Sequence, residues 1–344
     1  MSLENPAVSV VMAAYNGAAF IRETIDSLLA QSMTDFEVVV VDDRSTDDTM
    51  ATLTAIGDPR LRVVQAERNG GPAVARTIAM GHARGRYIAG LDQDDLCRAD
   101  RFATQIAYLE ANPDIALVGS AIEPFEGERI RPGPFPDLVE PGRIDWTMMV
   151  QNPIAWSTVM MRGGAARALD PFQRDAYRFA EDFDLYRRIR AFGRIGRIAE
   201  PLVRYRLHPG GASQRHEERM IASAANVLLD RYEPLFGDGA LDAALLISRY
   251  AGARHTPPDT LVLQRCGAVL ERLLAAQDAL PTEEADASAS RLWWRMARTG
   301  LRAGCYGVPA VLRAQPRFAL VRHARSRAFG DAAIGAARMI RRRS

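Results

Sequence analysis

Val8-Ser9-Val10-Val11-Met12-Ala13-Ala14-Tyr15-Asn16-Gly17 is a short apolar, β-rich run that stops at a turn signal, and the chain repeats this unit as it continues. Phe20, Ile21, Ile25, Leu28 and Leu29 recur at helical spacing, so a helix follows the strand. Phe36-Glu37-Val38-Val39-Val40-Val41 is a second buried strand, closed by Asp42-Asp43, and Ser45-Thr46-Asp47-Asp48 can cap a helix running through Ile56. Leu61-Arg62-Val63-Val64 is a third strand, followed by Asn69-Gly70-Gly71-Pro72 and a helix carrying Val74 and Ile78. Arg86-Tyr87-Ile88-Ala89-Gly90-Leu91 is a fourth strand and ends at Asp92-Gln93-Asp94-Asp95. Strands alternating with helices in this way predict an α/β fold, a mostly parallel sheet covered on both faces. Ligands of such sheets bind beyond the carboxyl ends of the strands. Tyr15, Asp43, Asp92 and Asp94 all fall there.

Beyond the fourth strand the pattern loosens. Residues 119–146 are rich in Pro and Gly and read as loops with an edge hairpin. A short strand at 157–161, a helix over 182–191 and a strand over 195–205 follow. After about Ser213 the chain turns helical and rich in Ala, Leu and Arg, with breaks expected at Thr256-Pro257-Pro258 and over 280–290. The expected organisation is therefore an α/β domain over 1–213 and a helical region over 214–344.

Composition removes whole classes. With 344 residues, 48% hydrophobic and 25% charged, the chain has ample material for a core, and disorder is excluded as the main state. No apolar run approaches the ~18–20 residues of a spanning helix. The first residues lack a basic and apolar secretory signal, and Cys97, Cys266 and Cys305 form neither a disulfide framework nor a zinc knuckle. A reducing cytoplasm is the expected compartment. The chain contains no lysine, so all 44 basic residues are arginine. Schiff-base chemistry and a P-loop lysine are excluded, and phosphate contacts must come from Arg, backbone N–H groups or a metal.

The net charge of +2 conceals an asymmetry. From Gln315 to Ser344, eight arginines face the single acid Asp331, a balance of +7, which leaves −5 on the rest of the chain. Phe318, Leu320, Val321, Phe329, Ile334, Met339 and Ile340 lie among these arginines. The tail reads either as a solvated helix face or as interfacial helices that attach peripherally to an anionic membrane. Nucleic acid is not the expected partner, because the tail offers no stacking platform and the rest of the chain is acidic.

Several side chains could carry chemistry, each with a plainer alternative. Asp92 and Asp94 can offer hard oxygen ligands to Mg²⁺ or Mn²⁺, or serve as caps of a following helix. Asp42-Asp43 has the same ambiguity. Tyr15 can close the sheet by packing or stack on a base. Arg76 is a solvated helix arginine unless it faces the cleft, where it becomes a nucleotide or phosphate contact. Glu181-Asp182 suits the dipole of the helix it opens, and a carboxylate there could equally act as a general base. His208 is a lone histidine in a polar loop.

Taken in order, the 8–17 strand and turn, Asp42-Asp43-Arg44-Ser45-Thr46-Asp47, Asn69-x-Gly71 with Ala75-Arg76, Asp92-x-Asp94-Asp95 and Glu181-Asp182-x-x-Leu185 resemble family 2 glycosyltransferases of the GT-A fold. The resemblance covers about residues 6–213. It implies inverting transfer of a sugar from a UDP- or dTDP-sugar to a hydroxyl acceptor, with Mn²⁺ or Mg²⁺, in the synthesis of an envelope polysaccharide, lipid-linked glycan or glycoconjugate. It also implies a nucleotide-sugar half over about 1–98 and an acceptor half over about 99–213. By position it makes Tyr15 the base-stacking aromatic, Asp43 the pyrimidine partner and Arg76 a further nucleotide contact. Ala13, Asp92 and Gln93 complete the nucleotide-sugar contacts, Asp94 and His208 the metal site. Asp182 matches the catalytic base. Thr77 stands where relatives often carry Asn, the Gln-x-x-Arg-Trp signature of processive synthases is missing, and residues 169–180 lack the usual Gly-Gly pair. Addition of one or a few sugars is therefore expected; the oligomeric state is left open.

Rival readings fare less well. A Rossmann dehydrogenase would need G-x-G-x-x-G where Ala14-Tyr15-Asn16-Gly17-Ala18-Ala19 stands. A nucleotidyltransferase acting on sugar phosphates would need a Gly-rich basic loop after the first strand. A non-catalytic nucleotide-sugar binding module requires Asp182 to face away from the cleft.

Overall fold

The structure is a computed structural model and describes residues 5–135, 138–208, 216–320 and 331. The expected boundary at 213 lies outside these residues, as do Val321, Phe329, Ile334, Met339 and Ile340 of the basic tail. The chain divides into two compact units, one comprising 1–144 and 153–216, the other 145–152 and 217–344.

The first unit is built on a nine-stranded sheet in the order β3-β2-β1-β4-β8-β6-β9-β5, with β7 paired to β6. Its strands are β1 (Val8–Ala14), β2 (Phe36–Asp42), β3 (Leu61–Gln65), β4 (Tyr87–Gly90), β5 (Leu96–Cys97), β6 (Ile115–Glu126), β7 (Arg129–Ile130), β8 (Met160–Arg162) and β9 (Arg194–Arg206). The helices are α1 (Ile21–Leu29), α2 (Thr49–Thr54), α3 (Pro72–His82), α4 (Arg101–Ala111), α5 (Pro141–Thr147, whose residues from Asp145 on belong to the second unit), α6 (Gly163–Arg167) and α7 (Glu181–Ile189). Strands β3, β2, β1 and β4 are parallel, and β8 enters antiparallel between β4 and β6 before β6 and β9 again run parallel. Val38 to Val41 are fully buried, as expected of strands covered on both faces. The sheet is thus mixed, mostly parallel and flanked by helices.

Register fixes the edge that matters. Ala14 pairs with Asp42 and Val11 with Gly90, so β1, β2 and β4 end side by side. Tyr15, Asp43 and Asp92 follow directly from these ends.

Two expectations are corrected here. The hairpin expected within 119–146 is present as β6 and β7, but β6 begins earlier and runs through Gly119, where loop was expected. At Gly119 a Cβ would meet Ile154 at 2.7 Å, so glycine permits the close approach of a buried strand instead of breaking it. The expected strand at 157–161 begins as a 3₁₀ turn, Trp156–Thr158, and only then enters β8.

Arg101 anchors the β4 end from within the core. It is fully buried, and its guanidinium donates to the carbonyls of Gly90 (2.9 Å) and Val159 (3.0 Å) and to Gln105 Oε1 (2.9 Å). Arg101→Met keeps much of the volume and strands these carbonyls. A loss of about 2–4 kcal/mol is expected, read as a fall in the urea midpoint at unchanged slope; a change below ~1 kcal/mol would contradict this role for the side chain.

The second unit is helical: Glu217–Phe236, Ala240–Ile247, Thr260–Ala276, Thr282–Ala303 and Val308–Ala314. Its core gathers Leu228, Tyr232, Ile247, Leu263, Leu270, Trp293 and Trp294. The break at Thr256-Pro257-Pro258 is present, and Asp259 restarts the helix by accepting the Val262 N–H at 2.8 Å. The break expected over 280–290 is shifted and shorter: the preceding helix ends at Ala276 and the next begins at Thr282, with Glu283 and Glu284 in its first turn and Ala285, Ser288, Ala289 and Ser290 buried. Small polar residues there mark close packing. Phe318, expected on an interfacial face, is buried, and its turn is held where Ala319 O accepts from Trp294 Nε1 at 3.0 Å. Leu320 is exposed. Among the described residues no helix is long and apolar enough to cross a membrane.

Candidate active site

Beyond β1 and β2 the backbone turns through left-handed residues, Asn16 (φ 48°) and Arg44 (φ 63°). Asn in this region is tolerated better than most side chains. The turn is held from outside: Gln93 Oε1 accepts the Tyr15 N–H at 2.9 Å while Gln93 Nε2 donates to Tyr15 O at 3.0 Å. A Cβ at Gly17 would lie 2.2 Å from Gln93 Oε1, so a larger residue there would displace the amide that holds the turn. Tyr15 itself is 46% exposed, which excludes the packing role and leaves its ring free to stack. Ala13 is half-buried on β1 opposite Val41.

Asp43 does not cap a helix. Its two carboxylate oxygens accept the N–H groups of Gly70 (2.8 Å) and Gly71 (2.7 Å), and its backbone carbonyl accepts from Asn69 Nδ2 at 3.0 Å. The buried carboxylate therefore fixes the 69–71 loop beside the end of β2.

The acidic turn between β4 and β5 is divided among three partners. Asp92 Oδ1 accepts from Arg76 Nη2 at 2.6 Å. Asp94 Oδ2 lies 2.8 Å from His208 Nε2. Asp95, buried, accepts the Arg206 N–H at 2.8 Å. The stretch after the turn is β5 rather than a helix, so the capping alternative fails. Burial and the neighbouring Asp92 charge raise the Asp94 carboxyl, with His208 acting against them; burial and both neighbours push Asp95 well above the carboxylate range.

Arg76 is not a surface residue. It is buried on α3, its Nη1 donates to Glu181 at 3.1 Å and to Gln173 Oε1 at 3.4 Å, and it lies over the Trp156 ring at 4.8 Å. One guanidinium thus joins the acidic turn to the start of α7. Asp182 sits beside that junction, half-buried, with its Oδ1 accepting the Phe183 N–H at 2.7 Å. Desolvation, then the adjacent Glu181 charge, raise its pKa to about 7, against the pull of Arg76 and the Phe183 N–H; Asp92 adds a smaller upward push. Arg76 Nε, Glu181 Oε2, Gln173 Nε2, Trp156 Nε1 and Tyr186 OH are buried around this junction without a partner among the described residues.

Sequence reading missed Trp156, Gln173 and the bridging part of Glu181. Glu181 carried a signal, since it adjoins the expected base. Trp156 and Gln173 carried none.

A profile of glycosyl transferase family 2 matches residues 9–161. An uncharacterized glycosyltransferase of Haemophilus influenzae is 30% identical over 233 residues, 64% of this chain and 72% of that protein. The Escherichia coli protein WfaP, named a UDP-Glc:alpha-D-GlcNAc-diphosphoundecaprenol beta-1,3-glucosyltransferase, is 31% identical over 224 residues, 64% of this chain and 85% of WfaP. Among solved structures, S. aureus TarS residues 1–349 in complex with UDP-GlcNAc match with a TM-score of 0.56 at 21% identity, over 84% of this chain and 87% of that one. A mostly parallel sheet whose strand ends carry these carboxylates is the fold of GT-A glycosyltransferases. The chain belongs to glycosyl transferase family 2.

Proposed function

We propose that the protein is an inverting glycosyltransferase that moves a sugar from a UDP-sugar to a hydroxyl acceptor, with Asp182 as general base. The observation that carries this reading is a desolvated carboxyl, Asp182, raised to about 7 by burial and Glu181 against the pull of Arg76, beside the guanidinium that joins the start of α7 to the acidic turn. A base that must be deprotonated at rest and accept a proton in the reaction works best with a pKa near the working pH. In the proposed step Asp182 takes the acceptor O–H proton as that oxygen bonds to the anomeric carbon, and the bond from that carbon to the diphosphate oxygen breaks on the opposite side. The nucleoside diphosphate departs with the bonding electrons.

Asp94 and His208 supply an oxygen and a nitrogen 2.8 Å apart, a donor set that suits Mn²⁺ or Mg²⁺ when diphosphate oxygens complete the shell. No group of three or more such side chains gathers among the described residues. A cation held there would supply Lewis-acid stabilisation of the departing diphosphate. Tyr15, which is 46% exposed, would stack on the base. The names of WfaP and of the TarS complex support UDP as the carrier, and WfaP supports a lipid-linked acceptor. Exposed Leu312 and Leu320, near Arg313 and Arg317 in sequence, are consistent with peripheral attachment to an anionic membrane.

A thermal-shift screen of UDP, dTDP and GDP with and without Mn²⁺ tests the donor. Stabilisation by about 2.7 kcal/mol is expected at 100 times the dissociation constant, for UDP with Mn²⁺ above the others; no response to any of them would reject the proposal. Glu181→Gln keeps the contact to Arg76 and removes the charge that raises Asp182. The ascending limb of the pH–rate profile should move to lower pH, and an unmoved limb would separate Glu181 from the base.

A further inference from the structure

We infer that Arg206 is the positioning residue for the Asp94–His208 pair, acting through the backbone of the acidic turn and not through its own charge. The inference rests on the reading of that pair as the site of the divalent cation and diphosphate.

Arg206 ends β9, two residues before His208. Its backbone N–H donates to Asp95 Oδ1 at 2.8 Å, and its side-chain Nε donates to the Asp94 carbonyl at 2.8 Å. Main chain and side chain of one residue therefore grip consecutive members of the turn. The charge is directed elsewhere: Nη2 pairs with Glu23 Oε2 on α1 at 2.6 Å. The guanidinium lies over two rings, with its central carbon 4.9 Å from the Phe20 centroid and 4.6 Å from that of Phe125. Phe20 also packs on the His208 ring, with centroids 4.9 Å apart. The register of β9 is set locally as well, because the Leu207 N–H donates to Phe125 O at 2.7 Å. The two halves of the pair, from elements 114 residues apart in sequence, are thus referred to one rigid planar group.

The chemistry explains the residue type. A planar guanidinium can lie against aromatic rings while its edge donates in two directions, whereas an ammonium cannot. The carbonyl of Asp94 is the acceptor, so the hydrogen bond constrains the backbone from which the Asp94 carboxylate projects. Groups behind a metal ligand typically govern ~10–100-fold in metal affinity. Arg204 provides an internal control. It lies on the same strand and over the same Phe125 ring at 4.5 Å, but its ion pair is with Glu123, at 3.3 Å.

The test is Mn²⁺ binding to the full chain in the presence of UDP, followed by the electron paramagnetic resonance signal of free Mn²⁺. Arg206→Lys retains charge for Glu23 and loses the planar fork; it should weaken Mn²⁺ binding ~10–100-fold while UDP binding without metal stays within about two-fold. Arg204→Lys should leave both unchanged. If Arg206→Lys does not fold, Phe125→Leu removes one stacking ring and should still weaken Mn²⁺ binding. Wild-type Mn²⁺ affinity in Arg206→Lys, or in Phe125→Leu where that variant decides, overturns the inference while leaving the pair's assignment intact. Failure of the wild-type protein to bind Mn²⁺ with UDP, or retention of that binding by Asp94→Ala, overturns the assignment itself and the inference with it.

Discussion

Asp94→Ala is expected to abolish sugar transfer and the Mn²⁺-dependent part of UDP affinity while leaving the fold intact. The side chain is a poor candidate for a structural role. Its carboxylate meets His208 rather than a helix N-terminus, and burial together with the Asp92 charge raises its pKa, which marks an ionised form held at a cost. Removing a destabilising charge should not lower the melting temperature appreciably. Calorimetry of UDP with and without Mn²⁺ checks the claim: the wild-type protein should show a metal-dependent increment that the variant lacks. An unchanged increment in Asp94→Ala would place the cation elsewhere.

Asp182→Asn should reduce kcat by ~10²–10⁴-fold with donor affinity retained, the range typical of removing a general base. Asparagine keeps the size of the side chain and an oxygen for the Phe183 N–H, so a merely structural role predicts near wild-type turnover. The pH dependence sharpens the distinction. With a pKa of about 7 in the folded protein, Asp182 is protonated below that value and cannot serve as base, so the wild-type rate should rise through about pH 7. The same shift has a stability consequence whose sign is fixed. A folded pKa above the unfolded ~3.9 means the folded state binds more protons than the unfolded one between about pH 4 and 7. Stability therefore falls as pH rises through that window. Asp182→Asn carries no such penalty and should be more stable than wild type above about pH 7, with the difference shrinking toward pH 4. Loss of activity with gain of stability would identify a site residue rather than a helix cap.

What could be read from the sequence follows from how local each signal is. The ends of β1, β2 and β4 were legible because buried apolar runs stop abruptly at Tyr15, Asp43 and Asp92, and a parallel sheet then forces those ends together. Arg76 was legible as a candidate but not as a bridge. An arginine in an Ala-rich helix looks the same whether it meets water or two carboxylates, and its partners Asp92 and Glu181 lie 16 and 105 residues away. The roles of Asp43 and Gln93 were hidden for the same reason: each ties a distant loop through backbone groups, which no side-chain pattern encodes. Gly119 and the 280–290 stretch misled in a different way. Glycine and serine signal turns when exposed and tight packing when buried, and burial is decided by the rest of the molecule. Arg206, near a candidate ligand, was within reach of the sequence, but its contacts with Phe20 and Phe125 exist only once β6, β9 and the start of α1 have met.

The central claim, inversion assisted by Asp182, is tested most directly without an acceptor, by following hydrolysis of an α-linked UDP-sugar with proton NMR before the released sugar mutarotates. Water then takes the place of the acceptor hydroxyl. The β-anomer should appear first with the wild-type protein, at a rate that collapses in Asp182→Asn. Early release of the α-anomer, or equal rates from the two proteins, would contradict the account.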